Sequence, residues 1–135
     1  MKVVVLDTSA VIRLYVPDGP LPHGLESCIE EAWRGDAVLL APELVLAEAA
    51  QVLLKKERAR KLDSGVTAEI LDAILDLPLK LVGHRDLLPD ALALARRHKV
   101  TVYDALFIAL ALRHKADLVT ADADLGKALL VARKS

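Results

Sequence analysis

The chain has 135 residues, 54% of them hydrophobic and only 3% aromatic, with a formal net charge of −1. That length fits one domain with a real core built from Leu, Val, Ile and Ala. Near-neutrality excludes a protein that meets polyanions through bulk charge and leaves only local patches for that work.

Lys2 to Leu6 is a continuous apolar, β-branched run, predicted as a strand buried on both faces. Thr8 to Val16 is predicted helical and stops at Pro17, and PDGPLPHG is a loop. Leu25 to Arg34 forms a helix closed by Gly35, followed by a short strand over Ala37 to Leu40. Pro42 opens a long helix running to about Arg60; a second helix covers Val66 to Leu77 and ends at Pro78. Leu79 to Val82 gives a third strand, and Asp86 to Lys99 a helix with Pro89 in its first turn. Tyr103 to His114 is a strongly apolar helix, Asp117 to Thr120 a fourth strand and Asp122 to Leu130 a last helix. Leu130 to Ala132 would add a weak edge strand. Strands alternating with helices predict one α/β domain: a parallel sheet, four strands clear and a fifth weak, with helices on both faces.

The opening MKVVVLD is too short an apolar run for a signal peptide, and Ala105 to Leu112, the longest such run, is far short of the roughly 18 residues of a membrane span. A soluble, cytoplasmic protein is expected. The only cysteine, Cys28, excludes an intramolecular disulfide and reads as a buried inert thiol. His23, His84, His98 and His114 are dispersed without ligand spacing and read as surface residues. There is no Asn, and Gln51 is the only Gln, a scarcity of labile amides that fits a thermophilic source.

Four acids stand inside otherwise apolar stretches: Asp7 after VVVL, Glu48 in LVLAEAAQVLL, Asp104 in VYDALFIALAL and Asp122 in DLVTADADL. Asp and Glu are almost never fully buried unless paired or bound to a cation. Asp7 ends a strand, where open parallel sheets bind ligands, and Asp is also a favoured helix N-cap, so both roles stand. Between Leu44 and Leu54 only Glu48 and Gln51 are polar, on one helix face with Lys55 beside them; the stripe faces either a site or water. Thr101 to Asp104 matches a capping box, in which the Asp104 carboxylate would serve the helix start. Asp122 follows a strand, with Thr120 and Asp124 at the same rim. Two like charges ~4 Å apart at an effective dielectric of ~20 repel by roughly 4 kcal/mol. A converging set must therefore protonate or bind a cation, and all-oxygen ligands favour Mg²⁺ or Mn²⁺ over Zn²⁺.

Three blocks, VVVLDTSAVI, PELVLAEAAQVL and VTVYDALFIALALRHKADLVTADADL, resemble those of PIN-domain nucleases, in particular VapC-type toxins of toxin–antitoxin pairs. The resemblance covers essentially the whole chain. It implies a five-stranded parallel sheet flanked by helices and a metal-dependent endoribonuclease. Asp7, Glu48, Asp104 and Asp122 fall on the family's acidic quartet, with Asp7 and Asp104 the most consistent metal holders. Thr120 and Asp124 match an outer tier, and Ser9 and Gln51 are further supporting candidates. The family usually carries Asn three residues after the glutamate, where this chain has Gln51.

The expected chemistry is hydrolysis of RNA phosphodiesters at a Mg²⁺ (or Mn²⁺) site held by Asp7, Asp104 and Asp122, with Glu48 holding water or taking its proton. Arg13, Lys55, Lys56 and Arg58 are candidates for RNA contact, in a basic run that continues to Arg60 and Lys61; the same run also reads as a solvated helix end. A haloacid-dehalogenase-like phosphatase needs a second Asp where Ser9 stands, and a phosphoacceptor receiver domain needs a different layout of acids and lysine. The resemblance further implies a small cognate antitoxin and a homodimer. A stand-alone PIN nuclease in RNA processing and a non-catalytic PIN-like binding module are the alternatives.

Overall fold

In the computed structural model, which describes residues Met1–Ser135, seven helices surround a four-stranded parallel sheet. The order along the chain is β1 (Lys2–Leu6), α1 (Thr8–Arg13), α2 (Leu25–Trp33), β2 (Ala37–Pro42), α3 (Leu44–Arg58), α4 (Ser64–Leu75) and β3 (Leu79–Val82). It continues with α5 (Leu88–His98), α6 (Val102–His114), β4 (Asp117–Val119) and α7 (Ala123–Arg133). The strands lie side by side as β3-β2-β1-β4. The chain thus builds outward from β1 to β3, then returns past β1 to lay down β4. That reversal creates a switch point between β1 and β4, and in open parallel sheets the crevice beyond the carboxyl ends there is the ligand position.

Val4, Val5 and Leu6 alternate between the two faces of β1 yet all are buried, so helices cover both faces. Helix α6 contributes seven consecutive buried residues, Ala105 through Ala111, and packs against β1, β2, β4, α5 and α7. A helix that is apolar all round belongs in the centre of a fold, and its first turn is thereby delivered to the rim of the sheet. Register does the rest. Leu6 pairs with Val119, so Asp7 and Thr120 are the first residues beyond the paired strands and stand side by side.

Several expectations need correction. Leu130 to Ala132 is not a fifth strand but the end of α7, and the sheet has four strands. A Leu-Val-Ala triplet is compatible with either structure, and the helical continuation buries Leu129 and Ala132 on the α7 core face. Helix α1 ends at Arg13 rather than Val16; Leu14 to Val16 follow as a turn and bend, and Pro17 has no N–H to carry the helix on. Pro42 closes β2 instead of opening α3. Cys28 is buried, as read from the sequence.

The histidines are not all surface residues either. His84 is half-buried, and its Nε2 accepts a hydrogen bond of 2.9 Å from the Leu44 N–H at the start of α3, a helix whose Glu43 supplies no side-chain cap. His98 is half-buried as well, with Nε2 unpartnered. The imidazole of His84 replaces the missing cap. Replacing it in His84→Ala should lower stability by about 1 kcal/mol, the usual worth of a cap, read as a lower urea midpoint at unchanged slope. An unchanged midpoint would show that the bond carries no weight.

Candidate active site

Asp7 is 4% exposed, and a carboxylate so deep needs donors. It has three, from two segments. The Ala10 N–H donates to Oδ1 at 2.9 Å, making Asp7 the N-cap of α1. The Ser9 hydroxyl lies 2.8 and 2.9 Å from the two carboxylate oxygens, and the Thr120 hydroxyl donates to Oδ2 at 2.5 Å. Each hydroxyl has one proton, and Asp7 takes both. They act as acceptors elsewhere: Ser9 Oγ from the Ala121 N–H and Thr120 Oγ1 from the Asp122 N–H, both at 2.9 Å. The loops after β1 and β4 are sewn together around one charge.

The other three acids arrive on different elements. Glu48, half-buried on α3, accepts from the Thr8 hydroxyl at 2.7 Å through Oε1. Asp104 is half-buried in the first turn of α6. Its expected capping role is corrected: the Thr101 hydroxyl caps the helix by accepting from the Asp104 N–H at 3.0 Å, and the Asp104 carboxylate makes no return bond. Asp122, exposed, does cap α7, its Oδ1 accepting from the N–H groups of Asp124 and Leu125.

All four carboxylates line one open cleft of about 480 Å³, floored by Ile12, Val52, Phe107 and Leu125. Their electrostatics form a closed circuit. Burial pushes the Asp7 carboxyl up, opposed by its hydrogen bonds from Thr120, Ala10 and Ser9, and Asp122 repels it further. Burial raises Glu48 despite the Thr8 bond, with added repulsion from Asp104 and Asp7. Burial raises Asp104, with repulsion from Asp122 and an opposing contribution from Thr101. The repelling pairs, Asp7 with Asp122, Asp104 with Asp122, Glu48 with Asp104 and Glu48 with Asp7, run from one acid to the next around the cleft. As oriented, no three of them close on a single ligation point, a spread that mutual repulsion favours.

Among the supporting candidates, Ser9 and Gln51 line the cleft, Thr120 stands behind Asp7, and Asp124 lies outside the lining. Arg13, Lys55 and Lys56 line it too, whereas Arg58 does not. The sequence reading passed over Thr8 and Asp18. A hydroxyl directly after a strand-end Asp was the available signal for Thr8; nothing local marked Asp18.

The donor set suits a divalent cation. Every group facing the cleft from the circuit is a hard oxygen, none of the four acids has a direct ion-pair partner, and no imidazole or thiolate is present to prefer a softer ion. Asp7, Asp104 and Asp122, joined by Glu48, are the residues that would hold it.

The sequence matches the PIN domain family over residues 4–128. It is 34% identical over 129 residues to Ribonuclease VapC3 of Pyrobaculum aerophilum, covering 94% of both chains. The fold is similar to that of PAE2754 from Pyrobaculum aerophilum, with a TM-score of 0.69, 22% identity and coverage of 99% of this chain and 91% of that one. It is also similar to Mycobacterium tuberculosis VapC20, a sarcin-ricin-loop-cleaving toxin, with a TM-score of 0.64, 18% identity and coverage of 93% and 94%.

Asp7, Glu48 and Asp104 hold their protons more tightly in the folded chain than in the unfolded one. Their contribution to stability is therefore complete below the ordinary carboxylate range and is lost as pH rises through the raised values. Mn²⁺ should restore it. At neutral pH a saturating ion should raise Tm by several degrees, and that gain should shrink as the pH falls and protons compete. A Tm insensitive to Mn²⁺ at neutral pH would count against a cation site.

Proposed function

This chain belongs to the PIN domain family, and from that premise we propose that it is a VapC-type endoribonuclease, the toxin of a toxin–antitoxin pair. The observation that carries the reading is the carboxylate circuit: four acids from separate parts of the chain, brought to one cleft at the sheet's switch point. A structural role gives no reason to gather unpaired charge in this way, whereas a divalent cation and a phosphodiester do.

In this mechanism a Mg²⁺ or Mn²⁺ ion held by Asp7, Asp104 and Asp122 would withdraw charge from the scissile phosphate and acidify nearby water. The protein's own groups do the remaining work. Ser9, Thr120 and the Ala10 N–H hold Asp7 ionised and fixed in orientation. Thr8 occupies Glu48 Oε1 and leaves Oε2 free to take the proton of the attacking water. Burial raises the basicity of Glu48, which suits it to that task. Water adds to phosphorus, the bond to the 3′ oxygen breaks, and that oxygen gains a proton. The products are a 5′-phosphate and a 3′-hydroxyl. Arg13, Lys55 and Lys56 offset the cleft's negative charge and meet the RNA backbone. Gln51 keeps a side-chain amide at the cleft.

A small antitoxin that covers the acids, a homodimeric assembly and a cytoplasmic setting belong to the same proposal. No helix is long and apolar enough to cross a membrane, in keeping with that setting.

Asp7→Asn keeps the cap geometry and removes the charge. It should reduce Mn²⁺-dependent cleavage of single-stranded RNA by about 100-fold or more, while the chain stays folded with a loss of about 1–3 kcal/mol, because Nδ2 cannot accept the Thr120 proton. Glu48→Gln, with Thr8 still able to donate to it, should lose about 10²-fold or more in kcat with little change in KM. Full cleavage by Asp7→Asn, or cleavage by the native chain in excess EDTA, would defeat the assignment.

A further inference from the structure

Two of the basic side chains that line the cleft are already engaged. Lys56 Nζ makes a hydrogen-bonded ion pair with the Asp18 carboxylate, and Arg13 Nη1 donates to the Pro20 carbonyl at 2.8 Å. Both acceptors belong to the proline-rich segment between α1 and α2. Gly19 lies over the guanidinium so closely that a Cβ there would stand 2.8 Å from Arg13 Nη1. Asp18 itself lines the cleft. Cations hold the Asp18 carboxyl below its ordinary range: Lys56 by direct hydrogen bond, with Lys61 and Arg13 in its field.

The pair is also asymmetric. The Lys56 side chain is 16% exposed, whereas the Asp18 side chain is 49% exposed on an irregular segment. The cation is fixed and the anion is easily displaced. Exposed ion pairs contribute little to stability, so exchanging one oxyanion for another at Lys56 costs little.

We propose that Lys56 and Arg13 form a subsite for a backbone phosphate of single-stranded RNA, and that Asp18 and the Pro20 carbonyl occupy it in the free protein as internal stand-ins. The inference rests on the endoribonuclease reading and assigns the edge of the cleft by which substrate enters. RNA binding displaces the segment, Lys56 exchanges a carboxylate for a phosphate, and Arg13 exchanges a carbonyl for a second phosphate oxygen. Affinity for RNA is then set partly by competition inside the chain.

The test is binding of a fluorescein-labelled single-stranded RNA by anisotropy, in EDTA so that nothing is cut. Asp18→Asn should bind about threefold more tightly than the native chain, with the slope of log K against log salt steeper by about 0.7, the share of one phosphate contact. Asp36→Asn is the control. It makes the same change in net charge and frees Arg34 from an exposed pair, but it precedes β2 at the opposite end of the sheet. The Asp18→Asn gain should exceed that of the control and vanish in a Lys56→Gln background. A gain equal to the control, or one that survives Lys56→Gln, would overturn the subsite and leave the nuclease reading intact. Absence of RNA binding by every folded variant would overturn both.

Discussion

Asp7 is a buried charge that folding cannot leave unsatisfied. Its carboxylate lies at the carboxyl end of the central strand and is met by a backbone N–H from α1 and by hydroxyls from Ser9 and Thr120. Removing water from a carboxylate costs several kcal/mol unless such donors replace it. Meeting that requirement brings the end of β4 against the end of β1 and fixes the path of the chain into α7. Asp122 then sits at the same rim, because its own N–H donates to the hydroxyl of Thr120. One desolvated charge organises the switch point of the sheet.

The network holds Asp7 in place without neutralising it. Hydroxyls and an N–H lower the cost of an anion but bring no positive charge, and burial still raises its carboxyl above the ordinary range. Glu48 and Asp104 show the same balance. The site thus has anionic character in excess of what the fold needs, with the cations kept at one edge of the cleft. Stability is given up locally for a function that requires an ion, a common trade at active sites. Structural ion pairs elsewhere, such as Lys2 with Glu31, carry no such excess.

The acids were legible in the sequence because each interrupts an apolar run, and apolar runs mark elements that pack. Glu48 was the clearest case, as its helix offers it no cap to serve; the structure turns it toward the cleft, with the exposed Gln51 also in the lining. Asp104 was legible as a position but not as a role. The box pattern suggested a capping carboxylate, and Thr101 does that work alone. Leu130 to Ala132 misled because a short apolar triplet has no period of its own. The pairing of His84 with α3 and of Asp18 with Lys56 spans 40 and 38 residues respectively. Contacts of that range leave no local trace, since the residues between them determine where the chain returns.

The strand order carries a consequence for how the molecule comes into being. β1 is made first, yet its second neighbour, β4, arrives more than a hundred residues later, and Thr120 and Asp122 follow it. On a ribosome, chains grow from the N-terminus at about 5–20 residues per second. Until β4 emerges Asp7 has neither its Thr120 donor nor its Asp122 neighbour, and the central helix that covers the sheet comes only just before that strand. Long-range parallel pairing of this kind is slow to form. A nascent chain therefore presents no finished cleft until β4 and the turn after it have emerged, so a protein that cuts RNA is made for a long stretch without its cutting site.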